Sequence, residues 1–272
     1  MVISILGCGW LGLPLAEHLI RNDFTVKGST TREEKLPLLR EKGIEAHRII
    51  LDPEIGGDNI SRFFDSDVLI LNIPPGRRDN VAKNHIRQIK SVLTALNKSA
   101  VKRILFVSST SVYGNKNREV SESDETYPET ESGKALIAAE QLLLDQRTYN
   151  PVVIRFAGLA GGDRNPGRFF AGKKQIPNGA APVNFIHRDD CIGLIHEIIR
   201  RDVRGEIFNA CSDKHPSRSD FYRKTAEDLG LEAPEFVDEE SRRYKIINSD
   251  KIKQRLEYRF KYPDPMEFSY SH

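Results

Sequence analysis

The stretch VISILGCGWLGLPLAEHLI, residues 2–20, decides the fold class. Its first five residues are apolar except for Ser4 and rich in β-branched side chains, as in a buried strand. From Leu11 to Ile20 apolar residues recur at three- and four-residue spacing, the period of a helix with one buried face. Between the two runs lies Gly7-Cys8-Gly9-Trp10-Leu11-Gly12, a G-x-G-x-x-G spacing. One such glycine makes a tight turn, one lets backbone approach a pyrophosphate, and one lets helix pack closely on strand. The helix start behind them offers unpaired N–H groups and the positive end of its dipole. The spacing alone also occurs at ordinary turns, but a strand before it and a helix after it are the context it needs. Gly7, Gly9, Trp10, Leu11 and Gly12 are therefore expected to bind a dinucleotide.

The same alternation continues outward. FTVKG (24–28), EAHRIIL (45–51), DVLILNI (67–73), KRILFVSS (102–109) and PVVIRF (151–156) read as strands. Helical patterns separate them around 33–42, over 79–97 and over 134–146. Strands alternating with helices of this length imply right-handed βαβ units, hence an α/β, Rossmann-type doubly wound parallel sheet. After residue 157 glycine, proline and basic residues dominate AGLAGGDRNPGRFF and KKQIPNGAAP, which read as binding loops. A strand and helix return over 183–201, a strand over 205–212, and a capped helix begins in SRSDFYRKTAEDLGL. The expected domains are a dinucleotide-binding domain over 1–157, to which 183–206 returns, and a small C-terminal substrate lobe from 158–182 and 207–272.

Composition excludes several function classes. An apolar fraction of 39% over 272 residues supports a packed core. The net charge of +2, with acids and bases interspersed, gives no electrostatic case for nucleic acid. Cys8, Cys191 and Cys211 fit neither a metal spacing nor a disulfide framework, so a reduced, cytoplasmic protein with no metal is expected. No signal peptide pattern precedes the first strand, and no apolar run is long enough for a membrane span.

The end of the second strand bears on cofactor choice. A chain that binds NAD usually carries an acid there for the ribose hydroxyls. Here Ser29, Thr30, Thr31 and Arg32 stand instead, with Glu33 only after the arginine. Hydroxyls and a guanidinium suit a 2′-phosphate, so NADP is expected over NAD.

With these residues in view, the chain resembles the extended short-chain dehydrogenase/reductase superfamily, in its epimerase/dehydratase-like branch. VSSTSVYG (107–114), RFAGLAGG (155–162), NFIHRDDC (184–191) and IFNACSD (207–213) carry the likeness in order along the chain. The variant GWLG with NIPP and SGKAL is most similar to atypical, YeeZ-type members. The resemblance implies an NAD(P)-dependent oxidoreductase or epimerase-like activity on a small carbonyl or hydroxyl compound such as a nucleotide-linked sugar. It implies that Asp52 faces the adenine and that Asn72, Ile73, Pro74 and Pro75 line the middle of the cofactor. Ser108 would lie beside the cofactor, and Phe156 and Gly158 near the nicotinamide. Thr110 matches the catalytic hydroxyl, with Ser109 the alternative, and Lys134 matches the lysine that holds the nicotinamide ribose. Pairing of two helices between subunits implies a homodimer.

The chain departs from the family pattern four residues before Lys134, where Thr130 replaces the motif tyrosine. A tyrosine beside a lysine ammonium can have its pKa drawn from about 10 towards neutrality and deliver a proton as hydride arrives. A threonine hydroxyl has no such ionisation and is a poor general acid. Tyr127 and Tyr113 lie nearby in sequence, and Glu129 and Glu131 flank Thr130 as acids expected to be exposed. His187 and Asp190 read as a packing and capping pair, and Arg164 and Arg168 as either a solvated loop or an anion-binding one. Two readings stand open: an enzyme using Thr110, Lys134 and Thr130, or an NADP(H)-binding sensor or scaffold that does not turn over.

Overall fold

A computed structural model describes residues 1–76, 80–237 and 243–270. In chain order the elements begin β1 (Val2–Leu6), α1 (Gly12–Ile20), β2 (Thr25–Thr30), α2 (Leu36–Glu41), β3 (Glu45–Leu51), β4 (Ile55–Gly57) and α3 (Ile60–Phe63). They continue with β5 (Val68–Leu71), α4 (Val81–Leu96), β6 (Arg103–Ser109), β7 (Glu119–Val120), α5 (Glu131–Leu144) and β8 (Val152–Phe156). The last are β9 (Gly158–Ala160), β10 (Phe185–His187), α6 (Arg188–Arg200), β11 (Ile207–Ala210), α7 (Arg218–Glu227), β12 (Ile246–Ile247) and α8 (Asp250–Leu256). The main sheet has eight strands in the order β11-β8-β6-β5-β1-β2-β3-β4. β1 pairs in parallel with β2 and β5, β2 with β3, and β5 with β6, while β4 runs antiparallel at the edge. The chain order reverses at β1, which begins the sequence yet lies inside the sheet, so the loop after it sits at a topological switch point.

Contacts divide the chain into two compact units. The first comprises Met1–Val112, Pro128–Arg155 and Ile195–Ile207. Its central strands are apolar on both faces because helices cover both, and Ile3, Ile5, Leu69, Ile70 and Leu71 are fully buried. Gly28 of β2 marks a close approach, since a Cβ there would stand 2.6 Å from Cys8 Sγ and 2.7 Å from Ile44. Lys27 is buried, but its ammonium donates to the carbonyls of Arg62 and Asp65 at 2.6 Å each. It thereby satisfies backbone acceptors at the end of the short α3.

The second unit comprises Tyr113–Tyr127, Phe156–Leu194 and Phe208–His272. It contains the parallel pairs β9–β10 and β7–β12. Asp190 is fully buried and accepts from Tyr258 Oη at 3.0 Å and from the backbone N–H groups of Lys261 and Tyr262 at 2.7 and 3.0 Å. Nδ1 of His187 accepts from the Asp189 N–H, which leaves its Nε2–H to donate to the Ser269 carbonyl at 3.1 Å. Both groups are spent on holding the C-terminal segment.

The helix expected over 79–97 is α4, and Asp79 lies outside the described residues. α5 begins at Glu131, three residues before the apolar run starts, because Thr130 caps it. No helix among the described residues is long and apolar enough to cross a membrane.

Candidate functional site

The glycine loop is locked from three sides. The Gly7 N–H donates to Ser29 Oγ at 3.0 Å, the Cys8 N–H to the Ser29 carbonyl at 2.8 Å, and Asn72 Nδ2 to the Gly7 carbonyl at 2.9 Å. Gly7 has φ +110°, and a Cβ on it would run into the Asn72 carbonyl. A Cβ on Gly12 would run into the Gly7 carbonyl. At Gly9 a Cβ meets no protein atom within 4 Å. Two of the three glycines are thus explained by the protein's own packing and the middle one is not. α1 begins without a side-chain cap and with no acid in its first turn, so its positive end is uncompensated there. Leu11 is buried and can offer only backbone to a ligand, and Trp10 beside it is half-buried. Cys8, packed beneath Gly28, has its thiol pushed up to about 12 by burial, so it is inert.

A groove of ≈ 190 Å³ runs beside this loop between Gly7, Ser29, Thr30, Thr31, Ile73 and Pro74, with Ile49, Leu51 and Gln88 opposite. Thr30 Oγ1 accepts from the Arg32 N–H at 3.2 Å, and Arg32 is exposed at the strand end. Asp52 lines an adjoining cavity of ≈ 350 Å³ with His85 and Gln88. Gln88 donates to the Leu51 carbonyl at 2.9 Å, which turns its Oε1 towards His85 Nδ1 at 3.2 Å. Pro75 is half-buried next to Pro74. Gln88 had no signal in the sequence, because a glutamine on a polar helix fits no motif.

The residues assigned to chemistry differ in exposure. Thr110 is buried in a single 3₁₀ turn, Thr110–Val112, at the end of β6. Ser109 Oγ accepts from the Ser111 N–H at 3.1 Å. Ser108 points inward, its hydroxyl donating to Glu140 at 2.5 Å. Thr130 is exposed, with extended backbone, and its Oγ1 accepts from the Gly133 N–H at 3.1 Å as the cap of α5. Lys134 is exposed and paired with Glu131 at 2.7 Å. α5 nevertheless presses on the 3₁₀ turn, where a Cβ on Gly133 would stand 2.6 Å from the Ser111 carbonyl.

In the second unit, Tyr113 is buried and donates to Asn209 Oδ1 at 3.0 Å, while Tyr127 is 71% exposed. Phe156 is buried in that unit, and Gly158 is exposed at the start of β9. Arg164 and Arg168 are exposed. A separate cavity of ≈ 260 Å³ in this unit gathers Arg218, Arg243 and Lys245 with Asn115, Asn184 and Tyr222. Arg218 donates to the Pro177 carbonyl at 3.2 Å and lies 4.8 Å above the Phe170 ring. These cations come from an ordinary helix start and a polar tail, so no motif marked them in the sequence.

Comparison with known proteins agrees with this fold. Residues 3–211 match the model of the NAD dependent epimerase/dehydratase family. The chain is 35% identical over 267 residues to protein YeeZ of Escherichia coli K12, covering 97% of each. It is 28% identical over 190 residues to an N-acetyl-α-D-glucosaminyl-diphospho-ditrans,octacis-undecaprenol 4-epimerase of Escherichia coli O157:H7, covering 65% of this chain and 54% of that one. In structure it is similar to UDP-glucuronic acid 4-epimerase of Bacillus cereus, solved in complex with NAD, at a TM-score of 0.82 and 19% identity, covering 98% and 95% of the two chains. With a switch-point glycine loop, a largely parallel sheet and a family match over most of its length, the chain belongs to the NAD dependent epimerase/dehydratase family.

Proposed function

We propose that this protein holds NADP(H) on its first unit and acts as an oxidoreductase or epimerase-like enzyme on a carbonyl or hydroxyl compound, a nucleotide-linked sugar being the substrate class. Gly9 carries the cofactor reading. Packing explains glycine at 7 and 12; at 9 the space is open, and a glycine there lets a pyrophosphate approach the backbone at the start of α1. The uncapped start of α1 supports a phosphate at the same place. Thr30, Thr31 and Arg32 supply hydroxyls and a guanidinium for a 2′-phosphate, with no carboxylate at the strand end to repel it. Leu51, Ile73 and Pro74 would form apolar walls for the adenine, with Asp52 beyond them.

Bound nicotinamide would supply or accept the hydride. Thr110 would polarise the substrate oxygen, and Lys134, released from Glu131, would hold the nicotinamide ribose. Thr130 would not deliver the proton, since its hydroxyl is committed to the helix cap. The cationic cavity of the second unit supports an anionic substrate such as one carrying a diphosphate. A second reading, an NADP(H)-binding sensor or scaffold without turnover, is favoured by the capping of α5 by Thr130.

Calorimetric titration with NADPH and with NADH tests the cofactor reading; NADPH is expected to bind more tightly, and binding of neither overturns it. Nicotinamide absorbance together with NMR of the sugar products, over a panel of nucleotide sugars, then separates enzyme from sensor. Net hydride transfer or an epimerised product from any of them supports the first reading, and the absence of both from all supports the second.

A further inference from the structure

Glu140 of α5 is only 2% exposed, yet it carries a carboxylate. Arg155 of β8 reaches it through Nη2 at 2.6 Å and through Nε at 3.2 Å to each oxygen. Ser108 of β6 donates to the same carboxylate at 2.5 Å. Arg155 and Ser108 are each 5% exposed, so three polar side chains from three elements meet in the interior of the first unit. Such a cluster is a weak source of stability. Desolvation of two charges offsets most of their attraction, and apolar side chains of similar volume often do as well or better. Its geometry is exacting, because a planar guanidinium fork accepts a carboxylate in few orientations.

What the cluster orients follows from the sequence around it. Ser108 directly precedes Ser109 and Thr110, and Lys134 stands on α5 less than two turns before Glu140. Strand order then says which half of a dinucleotide these residues meet. The glycine loop after β1 has β2 on one side and β5, then β6, on the other. With the adenosine half on Thr30–Arg32 of the β2 side, the nicotinamide half extends over β5 and β6. We infer that Ser108, Glu140 and Arg155 form a positioning cluster, which sets Thr110 and Lys134 for the nicotinamide half of the cofactor and is kept for that register rather than for stability. This inference rests on the dinucleotide reading proposed above.

The test compares wild type with the triple variant S108A/E140M/R155M, which removes the cluster without leaving a buried charge unpaired. Three quantities are measured: the thermal midpoint, the Kd of NADPH, and the Kd of adenosine 2′,5′-bisphosphate, which spans only the adenosine half. The midpoint is expected at or above that of wild type, bisphosphate binding unchanged within about twofold, and NADPH binding weaker by about tenfold or more. R155K, which keeps the charge but loses the fork, is expected to weaken NADPH in the same selective way. Wild-type affinity for both ligands in the triple variant would show that the cluster positions nothing. Parallel loss of both ligands, or failure to fold, would show that it holds up the fold instead. A wild type that binds neither ligand removes the dinucleotide reading and this inference with it.

Discussion

Alanine at Gly9 and at Gly7 should have opposite consequences. Gly9→Ala meets no protein atom and should leave the thermal midpoint unchanged or slightly raised, since alanine restricts the unfolded chain. On the proposed reading its NADPH affinity, read by calorimetry, should fall about tenfold or more, because the methyl would stand where the pyrophosphate is proposed to approach. Gly7→Ala places a Cβ against the Asn72 carbonyl at φ +110° and should destabilise the fold by about 2 kcal/mol in urea unfolding. On the proposed NADP reading, Arg32→Ser should reduce the preference for NADPH over NADH about tenfold while leaving NADH binding close to wild type, because only the 2′-phosphate would lose a charged partner. Equal affinities for the two dinucleotides before and after the change would dismiss Arg32 as the discriminating group.

At the scale of the element, Thr130 is the cap of α5, and its identity matters for the helix. Thr130→Ala should lower stability by about 1 kcal/mol, a midpoint shift of about 2–4 °C for a chain of this size, and Thr130→Ser should restore it. Thr130→Tyr should lose the cap to a similar extent and gain no hydride transfer, since the helix starts one residue later and Lys134 faces Glu131. Asp190 plays the comparable part for the C-terminal segment. Asp190→Ala strands the N–H groups of Lys261 and Tyr262 and the Tyr258 hydroxyl, and a loss of about 3 kcal/mol in urea unfolding is expected. A loss below about 1 kcal/mol would mean that the segment is held chiefly by other contacts.

For the molecule as a whole, the buried histidines set the acid side of stability. His47, His85 and His187 are all held below the ordinary histidine pKa by burial, which disfavours the charged ring. A base with a depressed folded-state pKa stays neutral in the fold while the unfolded chain takes up the proton. The stability is therefore present above the unfolded pKa of about 6.5 and is lost as pH falls below it. Each histidine still neutral in the fold contributes a slope approaching 1.4 kcal/mol per pH unit, roughly, in that window. Asp190, raised by burial, acts in the opposite sense, but only nearer the carboxylate range. Thermal midpoints measured from pH 7.5 down to about 5.5 should fall steadily, and a flat profile would contradict the neutral buried histidines.

The repeating elements were legible in the sequence because hydrophobic period and glycine spacing are local properties. VISIL, EAHRIIL and KRILFVSS reported their strands directly, and EAHRIIL matched β3 residue for residue. The glycine loop was legible for the same reason, since turn, close approach and helix start all fall within six residues. β4, β7, β12 and α8 were not, because pieces of two to seven residues carry too few positions for a period to show. Nor could spacing tell that Thr130 caps a helix, that Ser108 turns inward to Glu140, or that Arg218, Arg243 and Lys245 share a cavity. By itself the sequence determined the fold class, the glycine turn between β1 and α1 and the missing tyrosine, all written in neighbouring residues. Which hydroxyls and charges are spent on the fold only the tertiary structure decided, because a spacing does not say which way a side chain turns and partners such as Ser108 and Glu140 lie tens of residues apart along the chain.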